Sequence, residues 1–204
     1  MDVDSTLITG EVVEMLAQRA GSLTLVTQIT ERAMRGEIDF AQSLHERVAT
    51  LQGLPVSVFD DVLAQVELTP GARELVAELQ ARGWPVGLVS GGFVEVVAPL
   101  AAGLGIELVH ANRLQVRDGH LTGRVDGPVV DRAAKATTLA DYALRSGVPM
   151  DRTIAIGDGA NDLDMLAAAA TGIAFNAKPV LAAAADAVVQ DRLDAVLALD
   201  AFAV

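Results

Sequence analysis

The sequence predicts an α/β fold, a mostly parallel sheet covered by helices, with a small all-helical block near its start. Three observations predict it. From Gly10 to Val66 apolar residues recur at helical spacing, acidic residues stand at helix starts, and no strand pattern emerges. After Thr69-Pro70-Gly71 the pattern changes to amphipathic stretches alternating with short apolar runs, which is the grammar of βαβ units. Asp118-Gly119 then separates two short runs and suits a tight hairpin turn, because both central positions tolerate positive φ.

Taken in order, Ala72 to Arg82 reads as helix, Pro85 to Val89 as strand, Val94 to Leu104 as helix and Glu107 to Ala111 as strand. Leu114 to Val116 and Leu121 to Val125 are the hairpin arms, an excursion from the alternation. Ala133 to Ser146 follows as helix, Thr153 to Ile156 as strand, Asp162 to Ala169 as helix, Gly172 to Phe175 as strand and Pro179 to Ala185 as helix, with alanine-rich helix beyond. The boundaries divide the chain into an α/β core of residues 1–8 and 70–204 and a helical insert of residues 9–69. At the N-terminus a polar cluster, Asp2-Val3-Asp4-Ser5-Thr6, follows Met1 with no apolar strand leading into it. Neighbouring strands are therefore expected to lack ladder partners there, as in a late-starting chain or a piece of a longer one.

The chain has 204 residues, 51% of them apolar, enough to bury a core. A formal net charge of -12 without any run of Lys or Arg argues against nucleic acid as a partner. Without cysteine there is no disulfide framework and no thiolate chemistry, and neither a membrane span nor a signal peptide is visible. A cytoplasmic protein acting on a small molecule, away from membranes, is the expectation; oligomeric state is not readable.

In open α/β sheets ligands sit beyond the carboxyl ends of strands, so polar clusters there are the candidates. Three lie at such ends: Asp2 to Thr6, Ser90-Gly91-Gly92, and Gly157-Asp158-Gly159-Ala160-Asn161-Asp162. Asp2 and Asp4, one residue apart, share a face in an extended segment. Asp158 and Asp162 form a second acidic pair. Clustered carboxylates repel unless a cation neutralises them, and hard oxygen ligands favour Mg2+ or Ca2+. Taken singly, each cluster also reads as a polar turn or helix cap, and Lys135 as a solvated helical lysine.

Together and in this order the residues resemble the phosphoserine phosphatases of the haloacid dehalogenase superfamily. Asp2-Val3-Asp4-Ser5-Thr6 is similar to that family's first motif, Ser90 to its second, Lys135 to its third and Gly157 to Asp162 to its fourth. The resemblance implies a Rossmann-like core with a helical cap, and a phosphomonoesterase that hydrolyses O-phospho-L-serine with Mg2+ through an aspartyl phosphate. It implies Asp2 as nucleophile and Asp4 as acid and base, with the metal on Asp2, Asp158 and the main-chain carbonyl of Asp4. Ser90, Gly91 and Lys135 would hold the phosphoryl oxygens, Asn161 would orient substrate, and Asp162 would support the metal shell directly or through Lys135. Glu11 falls where the family reads the substrate ammonium and Arg47 where it clamps the carboxylate. Met34 and Phe40, core residues by periodicity alone, fall where the family covers the substrate. Rival readings are a phosphatase for phosphohomoserine or another small phosphoacid, and a fragment that binds ligand without turnover. A P-loop and a dinucleotide fingerprint are absent.

Overall fold

Four helices between two short connecting segments form the first unit of the computed structural model, which describes residues 1–203. They are α1 (Val12–Ala20), α2 (Leu23–Met34), α3 (Phe40–Ala49) and α4 (Val58–Leu63). Their apolar stripes turn inward: Val12, Val13, Leu16 and Ala17 of α1 and Leu44 and Val48 of α3 are buried. The connectors pair with each other. Thr9 N donates to Glu67 O at 3.0 Å and Thr69 N to Leu7 O at 2.9 Å, so the helical block leaves and returns to the core through one narrow antiparallel neck.

The α/β part then runs α5 (Ala72–Ala81), β1 (Gly87–Phe93), α6 (Val94–Gly103), β2 (Leu108–Arg117), β3 (His120–Asp126), α7 (Arg132–Arg145), β4 (Ile154–Gly157), α8 (Leu163–Ala168), β5 (Thr171–Phe175), α9 (Pro179–Ala182) and β6 (Ala187–Val189). β1 pairs parallel with β2, and β4, β5 and β6 pair parallel in that order. β2 and β3 form the expected antiparallel hairpin, its turn made by Asp118 (φ 50°) and Gly119 (φ 73°).

Several boundaries differ from the sequence reading. The first strand runs on through Ser90-Gly91-Gly92, which lack the side-chain bulk that would have marked them as strand. The two short runs before the hairpin fuse into one ten-residue strand, β2, with an irregular register at Leu114 to Val116. The last helix stops at Ala182, and Ala187–Val189 pairs as an unexpected edge strand. The alanine-rich tail winds into 3-10 turns at Leu193–Ala198 and Asp200–Phe202 rather than α-helix.

The space between β1 and β4 is filled by residues 1 and 2. Met1 N donates to Gly87 O at 2.9 Å and Met1 O accepts from Val89 N at 3.0 Å, while Asp2 N donates to Ile156 O at 2.9 Å. This short segment thus satisfies groups on both neighbours, although the sequence led us to expect those groups to be orphaned. It also places the Asp2 side chain at the junction of the two sheets, where the order of strands changes direction.

One apolar cluster joins Leu16, Val26, Leu44 and Leu51 of the helical block to Leu88, Phe93, Val97, Ile156 and Ile173 of the sheet and its helices. A second contact reinforces this packing. The hairpin reaches up to the segment between α3 and α4: Leu121 N donates to Leu54 O at 2.8 Å, Gly53 N to Leu121 O at 2.9 Å, and Val56 N to Gly119 O at 2.9 Å. Gly123 (φ 77°) lies so near that a Cβ there would stand 3.0 Å from Gln52 Cβ and 3.2 Å from Ala49 O. No helix among the described residues is long and apolar enough to cross a membrane.

Candidate active site

The polar clusters at the strand ends converge. Asp2, at the junction of the sheets, Asp158, just past β4, and Asp162, entering α8, offer carboxylate oxygens that all lie within 4.8 Å of one another, and all three residues are buried. Lys135 reaches them from the second turn of α7, whose first turn is fixed by the Asp131 carboxylate accepting from Ala134 N. Its ammonium is fully buried and donates to Asp2 Oδ1 at 2.7 Å and Asp162 Oδ1 at 2.8 Å.

The oxygens of Asp162 are spent within the protein. Oδ1 takes Lys135, and Oδ2 accepts from the main-chain N–H groups of Asp158 and Gly159, both at 3.2 Å. Asp162 therefore shapes the loop that carries Asp158 and orients Lys135. Asp158 is further fixed by its carbonyl, which accepts from Lys178 N at 2.9 Å.

Asp4 faces the other way. Its Oδ2 accepts from Ser90 Oγ at 2.9 Å and its Oδ1 from Val12 N at 2.7 Å, so it caps the first turn of α1 from outside the helix. Ser90 is fully buried, and its hydroxyl oxygen accepts in turn from Gly92 N at 2.8 Å. A side chain at Gly92 would bring a Cβ to 2.5 Å from Asp4 Oδ2, which is why glycine stands there. Phe40, the first residue of α3, brings its ring over Gly91: a Cβ on Gly91 would lie 3.1 Å from Phe40 Cζ.

Asn112 went unnoticed in the sequence. It is 1% exposed on β2; its Nδ2 donates to Gly91 O and its Oδ1 accepts from Val130 N, each at 2.8 Å. The Gly91-Gly92 peptide is thereby held at both ends, by Asn112 on its carbonyl and by Ser90 on its N–H. One buried amide thus ties the Ser90 loop to the segment entering α7. The sequence offered no signal for it, because Asn112 falls between the two runs read as separate strands; it stays buried because both ends of its amide are bonded.

Of the more distant candidates, Glu11 immediately precedes α1 and its Oε1 accepts from Ser5 Oγ at 2.8 Å. Arg47 on α3 is half-buried, donates from Nε to Ser43 O at 3.3 Å, and forms no ion pair among the described residues. Glu11, Asp4 and Glu14 are the acidic groups whose fields reach it. Asn161 is half-buried beside Gly159, where an added Cβ would stand 2.5 Å from Asn161 Oδ1. Met34 ends α2 and is 68% exposed, so the core position its periodicity suggests is not where it sits.

Burial dominates the electrostatics. It lifts the Asp4 carboxyl to about 6, with Glu11 adding repulsion and the Val12 N–H and Ser90 bonds opposing. Burial, then repulsion from Asp162, lifts Asp158 to about 6 as well. The same two causes push Asp2 above the usual carboxylate range against the attraction of Lys135. Lys135 stays charged: burial pulls its ammonium down, but Asp2 and Asp162 outweigh that and hold it above its ordinary value. Three carboxylates facing one ammonium leave a buried excess of negative charge. A divalent cation with hard oxygen ligands fits that donor set, with Asp2 and Asp158 keeping oxygens free for it.

The sheet order, the helical insertion after the first strand position and this ring of carboxylates and lysine define a class of hydrolase. Residues 1–167 match the haloacid dehalogenase-like hydrolase family, and the chain belongs to it. Among its relatives, a phosphoserine phosphatase of Mycobacterium tuberculosis is 59% identical over 186 residues, covering 91% of this chain and 46% of that protein. A phosphoserine phosphatase of Streptococcus thermophilus is 55% identical over 181 residues, covering 89% of this chain and 84% of that one. The chain thus spans about half the length of the mycobacterial relative and most of the streptococcal one. A solved structure described as a phospho-aspartyl intermediate analogue of phosphoserine phosphatase superposes with a TM-score of 0.90 at 41% identity, covering 96% of this chain and 94% of that one.

Proposed function

We propose that this chain hydrolyses O-phospho-L-serine to L-serine and inorganic phosphate, with residues 9–69 acting as a cap over a core of residues 1–8 and 70–204. The observation that carries the reading is the buried Lys135 bridging Asp2 and Asp162, with Asp4 held at the mouth of the cap helix α1. The names of the relatives and of the superposed structure support the substrate.

In the first half-reaction an Asp2 oxygen attacks phosphorus, the bond from phosphorus to the seryl oxygen breaks, and Asp4 gives that oxygen its proton. In the second, Asp4 takes a proton from water as the water oxygen attacks phosphorus, and the Asp2 carboxylate leaves restored. A carboxyl lifted to about 6 suits a group that must first give and then take a proton near neutral pH. Lys135, the Ser90 hydroxyl and the Gly91 main chain would hold the phosphoryl oxygens, and Asn161 would orient the ester. The Ser90 hydroxyl, now donating to Asp4, turns toward phosphate to do so. Mg2+, held by Asp2, Asp158 and the Asp4 carbonyl, would neutralise charge on the phosphoryl group.

The substrate's remaining charges have matching residues in the cap. Glu11 offers Oε2 to an ammonium, and Arg47, half-buried and without an ion pair among the described residues, offers a guanidinium to a carboxylate. Phe40 would close over the ester from above Gly91, and Met34 would join it from the end of α2.

The test is phosphate release from O-phospho-L-serine beside other phosphomonoesters, with Mg2+ and with chelator, using Asp2→Asn as the blank. Mg2+-dependent release selective for phosphoserine and lost in Asp2→Asn is the expected result. Equal rates on phosphohomoserine or on esters without an ammonium would overturn the substrate reading and leave a less selective phosphatase.

A further inference from the structure

Glu11 stands at the N-cap position of α1, with extended backbone angles (φ -108°, ψ 119°), yet its side chain caps nothing. The capping bond to Val12 N comes from Asp4 instead. A glutamate released from capping would sample several rotamers, and an unfixed carboxylate is a poor receptor for one specific cation. Here it is fixed. Ser5 Oγ donates to Glu11 Oε1 at 2.8 Å, and no protein donor reaches Oε2 among the described residues.

Ser5 reaches that position through an unusual backbone. Its φ is 57°, in the left-handed region that non-glycine residues rarely occupy, and Ser5 N donates to Gly10 O at 3.2 Å. The other non-glycine residues with positive φ, Asp118, Asn176 and Asp191, lie outside the cluster of Asp2, Asp4 and Lys135. A turn alone would be served better by glycine. A serine that accepts the strain and spends its hydroxyl on Glu11 points to a use for that hydroxyl.

We propose that Ser5 is a positioning residue for ammonium recognition: by donating to Oε1 it fixes the Glu11 carboxylate and presents Oε2 to the amino group of the substrate. This rests on the phosphoserine reading given above. It makes the Asp2-to-Thr6 segment serve both chemistry and selectivity, since the peptide that carries Asp4 also sets Glu11.

The experiment compares kcat/KM for O-phospho-L-serine with that for 3-phosphooxypropanoate, the same ester with hydrogen in place of the ammonium. Ser5→Gly removes the hydroxyl and relieves the strain, and Ser5→Ala removes the hydroxyl while keeping the Cβ. In both, the ratio of the two values falls about tenfold, the worth of roughly one hydrogen bond to a charged group, mainly through KM for phosphoserine. Glu11→Gln lowers the ratio at least as far, and Ser5→Gly combined with Glu11→Gln lowers it no further than Glu11→Gln alone. A proportional loss on both esters, or an unchanged ratio, in the Ser5 variants overturns the proposal; if Glu11→Gln still lowers the ratio, the phosphoserine reading stands without it. An unchanged ratio in Glu11→Gln overturns the ammonium pocket itself, and the role of Ser5 with it.

Discussion

At the scale of single residues, the site depends on side chains held without access to water. Lys135 is the clearest case: among the described residues its ammonium is the only cation bonded to Asp2 and Asp162, and all three are buried. Lys135→Met fills the space but leaves two carboxylates unpaired. It should cost about 3–5 kcal/mol at neutral pH in the metal-free protein, read by urea unfolding. Gly92 has the opposite character, because it contributes only an absence. Gly92→Ala sets a methyl against Asp4 and Ser90, so kcat should drop at least tenfold while the melting temperature moves little, as assayed by phosphate release and calorimetry. The acidic pairs, Lys135 and Ser90 were legible in the sequence because three polar clusters and one lysine came in a fixed order. Asn112 and the tie from Ser5 to Glu11 were not, since each depends on a partner that only the folded chain brings close.

Among the elements, legibility followed side-chain bulk. Helices α5, α6 and α7 lie within a residue or two of where the sequence set them; α5 and α7 have an apolar stripe, while α6 is apolar almost all round and ends at Gly103. The end of β1 was missed because Ser90, Gly91 and Gly92 carry no strand signal of their own; Ser90 pairs with Ala111 of β2, and the two glycines fall in the register shift before Phe93 pairs with Asn112. The hairpin was read correctly from Asp118-Gly119, but its use was not, since nothing in the β3 sequence says that it will bond to residues 53–56. Gly123→Val tests that contact. The new side chain meets Gln52 and Ala49 and the residue must hold a positive φ, so stability should fall by about 1–3 kcal/mol. Hydrogen exchange should quicken first at Leu121 and along α3, before the α7 amides respond.

For the molecule as a whole, the buried carboxylates set how stability follows pH. Asp4 and Asp158 titrate near 6 in the folded chain against 3.8 when solvated, so the folded form binds more protons between those values. Stability from these groups is fully present below about pH 4 and is lost as pH rises through 6. With chelator present, the melting temperature should be higher at pH 5 than at pH 7.5. Mg2+ should raise it most at pH 7.5, where the ionised carboxylates bind the cation best. A melting temperature indifferent to both would mean that these groups are solvated in the native protein. The overall architecture was foreseeable from the alternation of elements. The joining of two three-stranded sheets through Met1 and Asp2 was not, because two residues are too few to show a period.

The clasp between the β2–β3 hairpin and the helical block bears on how such a protein can be recombined. Residues 9–69 look like a cassette, with entry and exit side by side at Ile8 and Leu68. Yet a cassette cut there would leave behind its second anchor, the strands from Leu108 to Asp126, more than thirty residues downstream of the exit. The transplantable unit is therefore split along the chain, and a chimera that exchanges helices without the hairpin would pair Leu54 and Val56 with a stranger's edge.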